Sequence, residues 1–148
     1  MSSGEPDLWF SYVRSHRLMI REIEQRLSQA GLPPYAWYDT LWGLESHPQG
    51  SRRMHELADV LVIERYNLTR LVDRLEKEGL VSRIRSAEDG RAAFVSITAK
   101  GKELRKRMWA IYQATVAELF LRQFTPDQQA VFATALDNAS AAARRLHE

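Results

Sequence analysis

Between residues 65 and 79 the chain reads Arg65-Tyr66-Asn67-Leu68-Thr69-Arg70-Leu71-Val72-Asp73-Arg74-Leu75-Glu76-Lys77-Glu78-Gly79. Leu68, Leu71, Val72 and Leu75 recur at i, i+3, i+4 and i+7, so they form one apolar stripe of a helix. The opposite face carries Tyr66, Arg70, Asp73 and Lys77, flanked by Asn67, Thr69 and Arg74. Nearly all of these outward groups form hydrogen bonds, and several suit a phosphate or a base edge. An arginine matches guanine in two-pronged pairing, and an asparagine matches adenine. Arg70 and Arg74 stand four apart, a like-charge pair that mildly destabilises an isolated helix. A polyanion along that face would remove the repulsion. A merely solvated surface explains the same residues if Asp73 pairs with Arg70 and Lys77. Gly79 closes the helix at the position that favours a left-handed residue.

Other chemistry finds little support. The chain contains no phosphate loop, no zinc-protease motif and no Ser/His/Asp pattern above chance, so an enzyme is not expected. His16, His47, His55 and His147 are scattered without metal-ligand spacing, and no cofactor or metal is implied. There is no cysteine, which excludes a disulfide framework and thiol chemistry. Aromatic pairs four residues apart, Tyr12 with His16 and Tyr38 with Trp42, offer walls and a hydrogen-bonding group for a small aromatic acid or phenol. Aromatic residues at that spacing equally serve as core or as a subunit interface.

The elements that must position these residues follow from punctuation. A chain of 148 residues with 45% hydrophobic composition is one domain's worth of globular protein. Its net charge of +2 is too small to imply a polyanionic partner, so a basic surface must come from local clustering. The N-terminal stretch lacks signal-peptide character and no apolar run reaches membrane-spanning length, so a cytoplasmic protein is expected. Helical periodicity runs from about Asp7 to Ala30, with Trp9, Val13, His16, Ile20, Ile23 and Leu27 on one side, ending at Gly31 and Pro33-Pro34. A second helix spans about Pro34 to Ser46, Pro48-Gln49-Gly50-Ser51 breaks the chain, and a short helix covers Met54 to Leu61. Joined tightly to residues 65–79, that short helix completes the outline of a helix-turn-helix. Residues 80–85 and 93–97 partly alternate around Asp89-Gly90, a hairpin signal, and this hairpin reads as a wing tipped by Arg85 and Arg91.

Thr98 is placed to cap a fifth helix running to about Phe124, basic at its start from Lys100 to Arg107. Thr125-Pro126-Asp127-Gln128 starts the last helix, whose face bears Phe132, Leu136, Ala139, Ala143 and Leu146. The fold class is therefore mainly α, six helices with a small β-hairpin wing. A winged helix-turn-helix lobe over residues 34–98 joins a helical dimerisation region of residues 1–33 and 99–148. The long terminal helices carry more apolar surface than one subunit can hide, which predicts a homodimer.

The chain resembles the MarR family of bacterial winged-helix regulators over nearly its whole length. The likeness rests on Leu57-Ala58-Asp59, on Leu68 through Val81, on Asp89-Gly90-Arg91 with Val95-Ser96-Ile97-Thr98 and Gly101, and on Tyr38-Asp39-Thr40-Leu41. It implies a transcriptional regulator that binds a pseudo-palindromic operator in double-stranded DNA. It further implies a repressor released by a small aromatic or phenolic effector held near Tyr12, His16, Tyr38 and Trp42. Arg65, Tyr66, Asn67, Thr69 and Arg70 would meet the major groove, Arg74 and the fifth helix's basic start would meet phosphates, and Arg91 would enter the minor groove, steadied by Asp89. A local hairpin ion pair without a DNA role is the alternative for Asp89 and Arg91. One departure is Val62-Ile63-Glu64 where relatives commonly carry a serine cap; Glu64 caps more weakly. The rival function is a helical dimeric protein-interaction module that binds no DNA.

Overall fold

Six helices and a small sheet make up the chain in a computed structural model that describes residues 4–85 and 92–147. Helix α1 spans Gly4–Gln29, α2 Tyr35–Glu45, α3 Met54–Leu61, α4 Arg65–Lys77, α5 Ala99–Leu119 and α6 Pro126–Arg145. The strands are β1 (Ser51–Arg52), β2 (Val81–Arg85) and β3 (Ala92–Ile97), in the antiparallel order β1-β3-β2. Strand β1 corrects the expectation of a plain break after Pro48. Ser51 pairs with Ser96 and Arg52 with Val95, and the Ile97 amide donates to the Gly50 carbonyl at 2.9 Å. Two residues are too few to show alternation.

The residues fall into two compact units, one of residues 1–19 with 113–148 and the other of residues 20–112. The second unit holds the hydrophobic core. Every buried hydrophobic residue among those described, from Ile23 and Leu27 of α1 to Leu104 and Met108 of α5, belongs to it. From α4, Leu68, Val72 and Leu75 are fully buried, as the stripe predicted. Leu57 and Ala58 of α3 pack inward as expected, and Gly43 lets α2 approach α3, where an added Cβ would stand 2.9 Å from Leu57 Cδ1. Helix α2 starts at Pro34 without a cap of its own. The Tyr35 amide instead donates to Glu24 Oε1 of α1 at 3.0 Å.

In the first unit the expected capping box is complete. The Gln128 amide donates to Thr125 Oγ1 at 3.2 Å and the Thr125 amide to Gln128 Oε1 at 2.9 Å. Helix α5 stops at Leu119 rather than near Phe124, and a 3-10 turn at Leu121–Gln123 follows. Phe124 closes that corner, its ring 5.2 Å from Phe120 and edge-on to Phe132 at 5.1 Å.

Candidate nucleic-acid interface

Helix α4 presents its polar face to solvent. Arg65, Tyr66, Asn67, Thr69, Arg70, Asp73 and Arg74 are all exposed, and the buried stripe on the other side fixes their direction. Arg70 lies over the Tyr66 ring, 5.7 Å from its centroid, so the two project together. Thr69 turns its hydroxyl back onto its own helix, donating to the Arg65 carbonyl at 2.9 Å. At the helix start Glu64 is the N-cap residue and makes no side-chain cap bond, in keeping with its weak capping chemistry. The corner before it is strained: Val62, with φ at 53°, is left-handed although β-branched.

Asp73 does not pair along the helix with Arg70 or Lys77. Its carboxylate meets Arg83 of β2 at 2.5 Å, and the same guanidinium donates to Glu76 at 3.0 Å. Arg83 is 18% exposed and clamps the wing strand to the outer edge of α4. No local spacing encodes that pair, because its members sit on different elements. Arg85 is the last residue of β2, where the register with β3 shifts; Asp89 and Arg91 lie outside the described residues. On β3 the Phe94 ring carries the Arg53 guanidinium at 5.1 Å.

The foot of α4 is fastened by the segment that begins α5. Gly79 is left-handed, with φ at 74°, and its carbonyl accepts from Thr98 Oγ1 at 2.7 Å. Lys100 Nζ donates to the Glu78 carbonyl at 2.8 Å. Thr98 Oγ1 also accepts the Gly101 amide at 3.1 Å, the cap that the sequence predicted. Further along α5, Arg105 is not free for a phosphate. It is paired with Glu45 of α2.

Of the residues proposed for a ligand, Tyr12 and His16 lie exposed on α1 in the first unit, whereas Tyr38 and Trp42 lie on α2 in the second. Tyr38 is buried in an aromatic pile that the sequence did not disclose, 5.0 Å from Tyr112 and 6.1 Å from Trp109. Tyr35 completes it, 5.2 Å from Tyr112. Burial, and then the hydrogen bond to Tyr112, push the Tyr35 phenol far up, and burial raises that of Tyr38. Beside them burial alone raises the Asp39 carboxyl above its ordinary 3.8. The folded chain therefore disfavours ionised Asp39, a cost present at neutral pH and absent below the ordinary carboxyl range. Asp39→Asn is expected to raise the melting temperature at pH 7. That advantage disappears as pH falls through the raised pKa toward the ordinary one. Melting curves at both ends of the range check it, and a variant less stable at pH 7 would sink the argument.

Among the described residues no group of three or more His, Asp or Glu could hold a metal ion, and no helix is long and apolar enough to cross a membrane. What remains is a helix-turn-helix with a wing beside its second helix, the architecture of a class of DNA-binding proteins. Residues 30–92 match the sequence profile of the MarR family. The transcriptional regulator PA3341 is similar at 30% identity, covering 93% of this chain and 98% of its own, with a TM-score of 0.78. Sco3205, a MarR family regulator from Streptomyces coelicolor solved in complex with DNA, is 27% identical over 96% of this chain and 92% of its own, with a TM-score of 0.86. AbsC, from the same organism and family, is 24% identical over 97% of each chain, with a TM-score of 0.86. The chain belongs to the MarR family of transcriptional regulators, which are DNA-binding proteins rather than enzymes.

Proposed function

We propose that this chain is a repressor that binds a pseudo-palindromic operator as a homodimer and releases it on binding a small aromatic or phenolic effector. The observation that carries the proposal is the outward face of α4, where seven polar residues from Arg65 to Arg74 stand open to solvent opposite the buried Leu68, Val72 and Leu75. In this reading Arg65, Tyr66, Asn67, Thr69 and Arg70 meet base edges in the major groove, and Arg74 meets the backbone. Arg85, Asp89 and Arg91 extend the contact through the wing. A second copy covers the apolar side chains that one chain leaves open in the first unit: Leu8, Trp9, Val131, Phe132 and Leu136. Tyr12 and His16 on one unit and Tyr38 and Trp42 on the other are offered for the effector. Exposed Trp42, rather than stacked Tyr38, supplies the free ring on α2.

The test is titration of operator DNA at several salt concentrations. Affinity should fall steeply as salt rises, because phosphate contacts release counterions. Asn67→Ala and Arg70→Ala should each cost about 1–3 kcal/mol of operator binding with the fold retained. A salt-independent affinity, unchanged in both variants, would favour the protein-interaction module instead.

A further inference from the structure

A cleft of about 410 Å³ opens in the second unit, away from the outward face of α4 and away from the aromatic pile. That volume falls within the roughly 300–1,000 Å³ of small-molecule pockets. Trp37 of α2 and Leu104 of α5 supply apolar wall. Lys100, Glu103 and Arg107 join Leu104 on one face of α5, since they recur at i, i+3, i+4 and i+7. Glu78, at the end of the recognition helix, also lines it.

The charges are informative. Lys100 and Arg107 are balanced by Glu78 and Glu103, so the cleft offers a simple anion or a simple cation no net attraction. Glu103 and Arg107 nevertheless face the cleft without an ion-pair or hydrogen-bond partner among the described residues, although they stand four apart. Lys100 uses one donor on the Glu78 carbonyl and keeps two. Opposite charges left unpaired around an aromatic wall match a ligand that carries both signs and a flat apolar body.

We propose that this cleft binds a small zwitterion with an aromatic side chain, an aromatic α-amino acid. Its carboxylate meets Arg107 and Lys100, its ammonium meets Glu103, and its ring lies against Trp37 and Leu104. The proposal does not depend on how the protein reads DNA. It gives the recognition helix a ligand at its foot, because Lys100 already holds the last turn of α4.

Calorimetric titration of the full chain, without DNA, tests it with L-phenylalanine, 3-phenylpropionate and phenethylamine as probes. L-Phenylalanine should bind, and the analogues lacking the ammonium or the carboxylate should bind about tenfold or more weakly, the loss expected for one charge-assisted hydrogen bond. Glu103→Gln and Arg107→Gln, both exposed and free of structural partners, should each weaken L-phenylalanine about tenfold with unchanged circular dichroism. In an amide-resolved NMR titration the Gly79 and Lys100 signals should move. No binding of L-phenylalanine at millimolar concentration overturns the proposal. So does equal binding of either analogue, indifference of both variants, or signal changes confined to the Tyr38–Trp109 stack.

Discussion

Gly101→Ala should lower the melting temperature by about 4–8 °C, the shift that a net loss of about 2 kcal/mol produces in a chain of this size. A Cβ at this position would stand 2.2 Å from the Leu80 carbonyl oxygen and 2.8 Å from Ile97 Cγ1. The nearer atom is backbone and cannot swing aside. The same carbonyl accepts the Thr98 amide at 3.1 Å, so moving it loosens the bond that seats the start of α5. Overpacking costs about 1–3 kcal/mol and more where neighbours are tied, so a backbone obstacle belongs at the upper end. Alanine's helix preference over glycine, about 1 kcal/mol, opposes the loss and is too small to cancel it. Thermal melting followed by circular dichroism decides. A variant as stable as the parent would mean that α5 can shift away from Leu80 and Ile97 freely, against the packing described here.

Arg83→Glu is the second large effect, and it falls on operator affinity. The substitution removes the guanidinium that bridges Asp73 and Glu76 and puts a third carboxylate between them. Asp73 and Glu76 are partly open to water, so the lost pairing itself is worth only about 1 kcal/mol of folding stability. Repulsion among three carboxylates pushes β2 off α4 and frees two negative charges beside the surface proposed to meet phosphate. Like charges brought together at an interface cost several kcal/mol, which corresponds to about a hundredfold loss of affinity or more. Arg83→Lys, which restores one positive charge without the fork, should recover most of it. Fluorescence anisotropy with labelled operator measures both. Affinity within twofold of the parent for Arg83→Glu would show that the wing's position does not matter to DNA binding.

Periodicity and punctuation made the central elements legible. Leu68, Val72 and Leu75 announced the buried side of α4, Gly79 its left-handed end, Thr98 the cap of α5 and Thr125 with Gln128 that of α6. All of these are local signals, set by residues within four of one another. What stayed hidden joins distant parts of the chain. Arg83 finds Asp73 across a turn, Arg105 finds Glu45 sixty residues away, and Tyr35 stacks on Tyr112 at a separation of 77. The basic partners that helical spacing offered Asp73, Arg70 and Lys77, were the wrong ones in the first case. The family likeness pointed to Gly101 without a reason; the contact with Leu80 supplies it. Of the expected row on α1, Trp9 and His16 are exposed, Val13 and Ile20 are half-buried, and only Ile23 and Leu27 are buried.

The recognition helix is held unequally at its two ends. Thr98 and Lys100 secure its C-terminal turn, while at its N-terminus Glu64 offers no side-chain capping bond. It is a cantilever, anchored at the base and uncapped at the tip, and the tip is the part proposed to meet the bases. In that proposal, holding the uncapped first turn and its long side chains against DNA costs conformational entropy. On the proposed reading, selectivity would rest on whether a given operator offsets that cost.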